Sequence, residues 1–172
     1  MLCVDDFGVK TYYQEDLDHL LIALRQMYEI TTDPIGSNYI GLTIQWEYRK
    51  GYVDISMPHY IQKLLQKFLH TPPTRRQHAP HRWTEPVYGQ KVQYALPEST
   101  LAILDKDGIK RIQSINGTFL YYARAVDPCM LPAIIEISSQ QAHPTEETNA
   151  KAKMLMDYAH IYPDAIIRYH AS

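Results

Sequence analysis

Residues 39–68 read YIGLTIQWEYRKGYVDISMPHYIQKLLQKF, and the spacing of their apolar side chains changes once. Ile40, Leu42, Ile44, Trp46 and Tyr48 alternate with Gly41, Thr43, Gln45 and Glu47; Arg49-Lys50-Gly51 supplies a turn; Val53, Ile55 and Met57 alternate on the return. A period of two is that of a strand, so this half predicts a β-hairpin. After Pro58, which suits the first turn of a helix, the apolar residues are Ile61, Leu64, Leu65 and Phe68, the spacing of one helical face. Alternation places Trp46 and Tyr48 on the face of Ile40 and Leu42, which predicts that both pack in a core.

Working outward, the N-terminal side carries a second hairpin signal. MLCVDDFGVK sets Asp5 and Asp6 between Leu2-Cys3-Val4 and Phe7-Gly8-Val9, which reads as two short strands with the acids at the turn. Neighbouring carboxylates repel; solvent or a bound cation relieves that repulsion. Leu17, Leu20, Leu21, Leu24 and Met27 then mark one amphipathic helix, with Glu15, Asp16 and Asp18 in its first turn, and Asp33, Pro34 and Gly36 break the chain before Tyr39.

On the C-terminal side, prolines 72, 73, 80 and 86 exclude regular structure from HTPPTRRQHAPHRWTEPVYGQ. Asp105-Lys106-Asp107-Gly108 reads as a turn, followed by a helix over about Lys110 to Arg124. A second helix is capped by Asp127 with Pro128 at its first position, and a third follows Thr145 with Ala150, Met154 and Tyr158 on its face. Tyr121, Tyr122, Leu131, Ile134, Ile135 and Ile137 are assigned to core packing, and AIIRY near the C-terminus reads as a short strand. No internal repeat occurs.

Composition excludes several classes. A chain of 172 residues, 45% of them hydrophobic, can bury a core and is not disordered. No run reaches the roughly 20 apolar residues of a membrane helix, no signal-peptide layout opens the chain, and Cys3 with Cys129 make no disulfide framework, so the expectation is a soluble intracellular protein in a reducing compartment. No serine or cysteine stands in a recognisable nucleophile setting, and His78-x-x-His81 lacks a further zinc ligand at structural spacing.

The net charge of −2 is unevenly spread: Lys63, Lys67, Arg75, Arg76, Arg82 and Lys91 face only Glu85, a local +5 that leaves −7 elsewhere. Such a window is either a phosphate-binding face or a solubilising loop.

The order of these pieces resembles the C-terminal half of the reverse transcriptase of copia-type retrotransposons. CVDD matches the Tyr-x-Asp-Asp hairpin of the polymerase palm in Val4, Asp5 and Asp6; YIGLTIQW is similar to the family's Leu-Gly-x-x-Ile strand; GYVDISMPHYIQKLL is similar to its Ser-Gln-x-x-Tyr-Ile helix start. SINGTFLYYARAVDP looks like its Gly-x-Leu-x-Tyr helix before an Arg-Pro-Asp turn, and AIIRYHAS like the lead-in to its ribonuclease H domain. The likeness spans nearly the whole chain.

The resemblance implies an α+β fold: a partial palm over residues 1–57, made of two β-hairpins and a helix, then a mostly helical thumb and connection lobe over 58–172. It implies RNA-directed DNA polymerase chemistry, in which two Mg²⁺ ions stabilise the attacking and leaving oxygens of nucleotidyl transfer. Asp5 would be the principal metal ligand and Asp6 the more peripheral one. Lys63, Lys67, Arg75, Arg76, Arg82 and Lys91 would meet the sugar-phosphate backbone of a template-primer. The hairpin from Tyr39 to Met57 lies where the family has its primer grip, which offers Tyr39, Trp46, Tyr48 and Tyr52 as stacking residues.

Two departures qualify this. Only four residues precede Asp5, whereas the family's further palm aspartate and its fingers lie upstream, so Mg²⁺ is expected only in a complete polymerase and this chain is expected to be inactive alone. Cys3 stands where the family has a tyrosine near the primer end. The alternatives are a noncatalytic nucleic-acid-binding module and a decayed open reading frame. A palm cut in this way is expected to expose apolar side chains, Val4, Phe7 and Val9 among them, while the local contacts of the helices favour their folding.

Overall fold

The computed structural model describes residues 2–3, 6–82 and 101–171. It is mixed α+β, and the chain divides into two compact units, Met1–Ser56 with Ile167–Ser172, and Met57–Ile166. The C-terminal strand, counted from sequence with the helical lobe, thus belongs with the first unit.

In the first unit, β1 (Leu2–Cys3) and β2 (Asp6–Phe7) pair antiparallel, Leu2 opposite Phe7 and Cys3 opposite Asp6. Asp6 is therefore a strand residue rather than part of the turn. Helix α1 (Gln14–Arg25) carries Glu15 and Asp16 in its first turn and Arg25 in its last, as the helix dipole favours. Its apolar stripe, Leu17, Leu20, Leu21 and Leu24, is only half-buried, and Met27 lies beyond the helix end, exposed. Strands β3 (Asn38–Tyr39), β4 (Leu42–Glu47), β5 (Tyr52–Ser56) and β6 (Ile166–His170) form a sheet in that order.

The expected β4–β5 hairpin is present, with Ile44 opposite Ile55 and Trp46 opposite Val53. A 3₁₀ turn, Tyr48–Lys50, and Gly51 at φ 69° connect the strands. The alternating run does not extend back through Ile40, however. Ile40 (φ 45°) and Gly41 (φ 79°) form a two-residue reversal between β3 and β4. Positive φ at both positions matches the twist of a tight hairpin. Gly41 accepts it freely; a β-branched Ile40 does so only under strain.

The second unit contains α2 (Tyr60–Lys67), α3 (Lys106–Ala125), a 3₁₀ turn over Pro128–Met130, α4 (Leu131–Gln140) and α5 (Glu146–Ile161). Its core is contributed by every helix: Ile61, Leu64 and Leu65 from α2, with Phe68 beyond its end; Ile112, Ile115, Phe119 and Tyr122 from α3; Ile134 and Ile137 from α4; Ala152, Leu155, Met156 and Ala159 from α5. Each large apolar side chain removed from water contributes about 1.5–3 kcal/mol before entropy is counted. Tyr122 stacks on Tyr60 (centroids 5.6 Å apart, planes 9° apart). Its buried hydroxyl donates to the Pro163 carbonyl and accepts from the Ala165 N–H, both at 3.0 Å.

Three expectations are corrected here. Asp105 is not in a turn but is the N-cap of α3, its carboxylate accepting from the Gly108 N–H at 2.8 Å. Gly108 is a helical residue whose missing side chain makes room, since a Cβ there would lie 2.9 Å from the Leu104 Cβ. On α5 the buried stripe is Ala152, Leu155, Met156 and Ala159; Ala150 is exposed, and Met154 and Tyr158 are half-buried. Tyr121 and Ile135, assigned to the core, are exposed at 43% and 65%, because each lies one helical position off a buried neighbour, Tyr122 and Ile134.

Candidate functional site

Asp5 and Lys91 lie outside the described residues. Asp6 is exposed, and its Oδ2 accepts a hydrogen bond from the Ile40 N–H at 2.8 Å. The acid hairpin is thereby joined, within the first unit, to the strained reversal that opens β4. Among the described residues no group of three or more His, Cys, Asp or Glu side chains is arranged to hold a metal ion.

The aromatic residues of β4 are not where alternation put them. Trp46 is 41% exposed and Tyr48 80% exposed, and the two rings are stacked, centroids 5.6 Å apart and planes 4° apart. The core expectation for this pair is thus overturned. Alternation correctly puts Trp46 on one face with Ile44, but whereas Ile44 is half-buried there, Trp46 is left exposed. The indole N–H donates to the Gly36 carbonyl at 2.9 Å.

Gly36 belongs to a loop organised by one carboxylate. Asp33 accepts from the N–H groups of Ile35, Gly36, Ser37 and Asn38 and from the Ser37 hydroxyl. These bonds, that from the Ser37 hydroxyl foremost, hold the Asp33 carboxyl below the usual carboxylate range. The stacked pair is therefore backed by a preorganised loop. It is followed by Arg49 and Lys50, both exposed; Lys50 pairs with Glu47 at 3.3 Å.

At the other edge of this sheet Arg168 on β6 makes a two-pronged bond to Asp54 on β5, Nε to Oδ1 at 2.7 Å and Nη2 to Oδ2 at 2.8 Å. Its guanidinium also lies 3.8 Å from the Tyr52 ring centroid. The Arg168 hydrogen bonds hold the Asp54 carboxyl below its ordinary value. Sequence reasoning gave no sign of this pair, whose members are 114 residues apart.

In the second unit Lys63, Lys67, Arg75, Arg76 and Arg82 are all exposed. Lys63 and Lys67 are one helical turn apart on α2, whose opposite side supplies Ile61, Leu64 and Leu65 to the core. None of the five pairs with a carboxylate among the described residues. Lys151, by contrast, is shared between Glu136 at 3.0 Å and Glu147 at 3.1 Å. Arg111 donates to the Phe68 carbonyl at 2.8 Å and so caps the end of α2.

The histidines of the basic window do not converge. His78 Nδ1 is 2.6 Å from the Tyr162 hydroxyl, and His81 Nδ1 is 2.9 Å from the Arg82 carbonyl. His70, its side chain 3% exposed, sets Nε2 2.9 Å from Asp157 Oδ1. Burial pushes the His70 imidazole down, and the Asp157 carboxylate opposes that shift. Among the described residues no helix is long and apolar enough to cross a membrane.

No protein family, curated protein or solved structure was found to match this chain.

Proposed function

We propose that this chain is a nucleic-acid-binding portion of a copia-type reverse transcriptase, the first unit corresponding to part of the palm and the second to the thumb and connection. The observation that carries the binding part is the set of five exposed cations on α2 and the segment after it, none neutralised by a carboxylate among the described residues. Cations left without carboxylate partners along one segment cost electrostatic self-repulsion that a polyphosphate backbone relieves. Interactions of that kind hold a duplex without reading its sequence. The stacked Trp46–Tyr48 pair supports the same reading in the first unit, since an exposed aromatic face accepts any base.

The polymerase part rests on the ordered sequence likeness and on the antiparallel β1–β2 pairing that carries Asp6. In that reading Asp5 and Asp6 hold Mg²⁺ through carboxylate oxygens, together with the upstream palm aspartate of the family. The ions would stabilise charge on the transferring phosphoryl group, while the cations of the second unit bind the template-primer.

The two parts are separable by experiment. Joined to the upstream palm and fingers, the chain is expected to extend a primer on an RNA template in Mg²⁺. Asp5→Asn is expected to abolish extension while changing template-primer affinity by no more than about threefold, because a carboxylate adds nothing to phosphate binding without the metal. Undiminished extension by Asp5→Asn contradicts the polymerase assignment. Failure of the chain itself to bind duplex contradicts the binding one. If binding persists and no extension is recovered with the upstream segment, the noncatalytic module is the better account.

A further inference from the structure

We infer that Asp6 is a positioning residue: its carboxylate clamps the Ile40–Gly41 reversal and thereby fixes the start of the strand that carries Trp46. Three observations converge on it. Ile40 has φ 45°, a left-handed conformation that a β-branched side chain resists, and persists only where neighbouring structure holds it. The Ile40 N–H donates to Asp6 Oδ2 at 2.8 Å, a bond to an ionised acceptor and so stronger than a neutral one. The reversal is flanked by the Tyr39–Leu42 and Asn38–Thr43 pairs, and the ladder it starts ends with the Ile44 N–H donating to the Ser37 carbonyl at 2.7 Å.

The chemistry separates this role from metal binding. A clamp needs only an oxygen acceptor at Oδ2, which an asparagine supplies; a hard cation needs the negative charge, which asparagine lacks. The strain on the other side of the bond is separable too. A glycine in place of Ile40 adopts the left-handed conformation without steric strain and makes the clamp dispensable. The inference goes beyond the nucleic-acid reading and does not depend on it, since neither Mg²⁺ nor template enters.

Amide hydrogen exchange on the full chain in chelator, with Ile40 and Ile44 as reporters, tests the inference. Asp6→Ala is expected to lower protection of both amides by about tenfold, the size of one such bond. Asp6→Asn is expected to retain it within about threefold, and Asp6→Ala combined with Ile40→Gly is expected to restore protection at Ile44. Unchanged protection in Asp6→Ala overturns the inference, as does an asparagine variant as impaired as the alanine one. If Asp6→Ala frees the whole of β3–β5, the double variant still decides: recovery at Ile44 supports the clamp, and none contradicts it. Protection of the α3 and α5 amides serves as the control, because the second unit has a core of its own.

Discussion

Residues 57–166 set Ile61, Ile112, Ile115, Phe119, Ile137 and Leu155 at 0% exposure, whereas no described apolar side chain of the first unit is fully buried. Phe7, Val9, Ile22, Met27 and Ile35 are 45–78% exposed there. The first unit relies instead on discrete polar bonds: Asp33 on its loop, Asp6 on Ile40, and Asp54 on Arg168. Water competes for the exposed Asp33 and Asp6 bonds, so each is worth little alone, whereas Asp54 is buried and its pairing with Arg168 is partly shielded. A dry core is close to all-or-none, while a set of separate polar bonds yields one at a time. The two units are therefore expected to lose structure under different conditions.

The contrast is broken most forcefully from the core side. Phe119→Ala is expected to cost the second unit about 3–5 kcal/mol in denaturant unfolding, through reduced burial and the cavity left behind. Protection of the Ala171 amide, bonded to the Gly51 carbonyl at 2.8 Å in the first unit, should not move. Tyr122→Phe is expected to cost about 1–3 kcal/mol, because the Ala165 N–H loses its acceptor in a partly buried place. Asp105→Ala removes the α3 cap, with an expected cost near 1 kcal/mol.

Acid sharpens the comparison with smaller effects. The His70 pKa is lowered in the folded state, so the unfolded chain takes up the proton first; stability of the second unit is expected to fall as pH drops below about 6.5. His70→Gln should flatten that part of a Tm–pH curve. The Asp54 carboxyl is held below its usual range, so its pairing with Arg168 persists through mild acid and is lost as pH falls through the lowered folded-state value. NMR signals of the Tyr52 ring, on which the Arg168 guanidinium lies, should shift in that acid range in the wild type and not in Asp54→Ala.

The β4–β5 hairpin and the α2 face were legible because their periodicity is unmixed: Ile61, Leu64, Leu65 and Phe68 admit one helical stripe only. On α5, Ala150, Met154 and Tyr158 form a second apolar stripe beside Ala152, Leu155 and Ala159, and spacing alone does not choose between them. Asp105-x-x-Gly108 is at once a turn pattern and a cap pattern, and spacing alone does not choose between them; the Asp105 carboxylate accepting from the Gly108 N–H identifies the cap.

Alternation told that Trp46 lies on the face of Ile44, not whether anything covers it, nor that Tyr48 leaves the strand for a 3₁₀ turn. The bonds from Asp6 to Ile40 and from Arg168 to Asp54 span 34 and 114 residues and leave no local signal. Of the candidate site, sequence named the cations and the carboxylates. It did not reveal the clamp on the reversal or the exposed aromatic stack.

Binding of a template-primer duplex measured against salt bears most directly on the central claim, that the exposed cations of the second unit hold nucleic acid. For wild type, log K should fall linearly with log salt, and Arg75→Ala with Arg76→Ala should make that slope shallower by roughly 2, about 0.9 for each phosphate no longer neutralised. An identical slope in the double variant, or an affinity indifferent to salt, would contradict it.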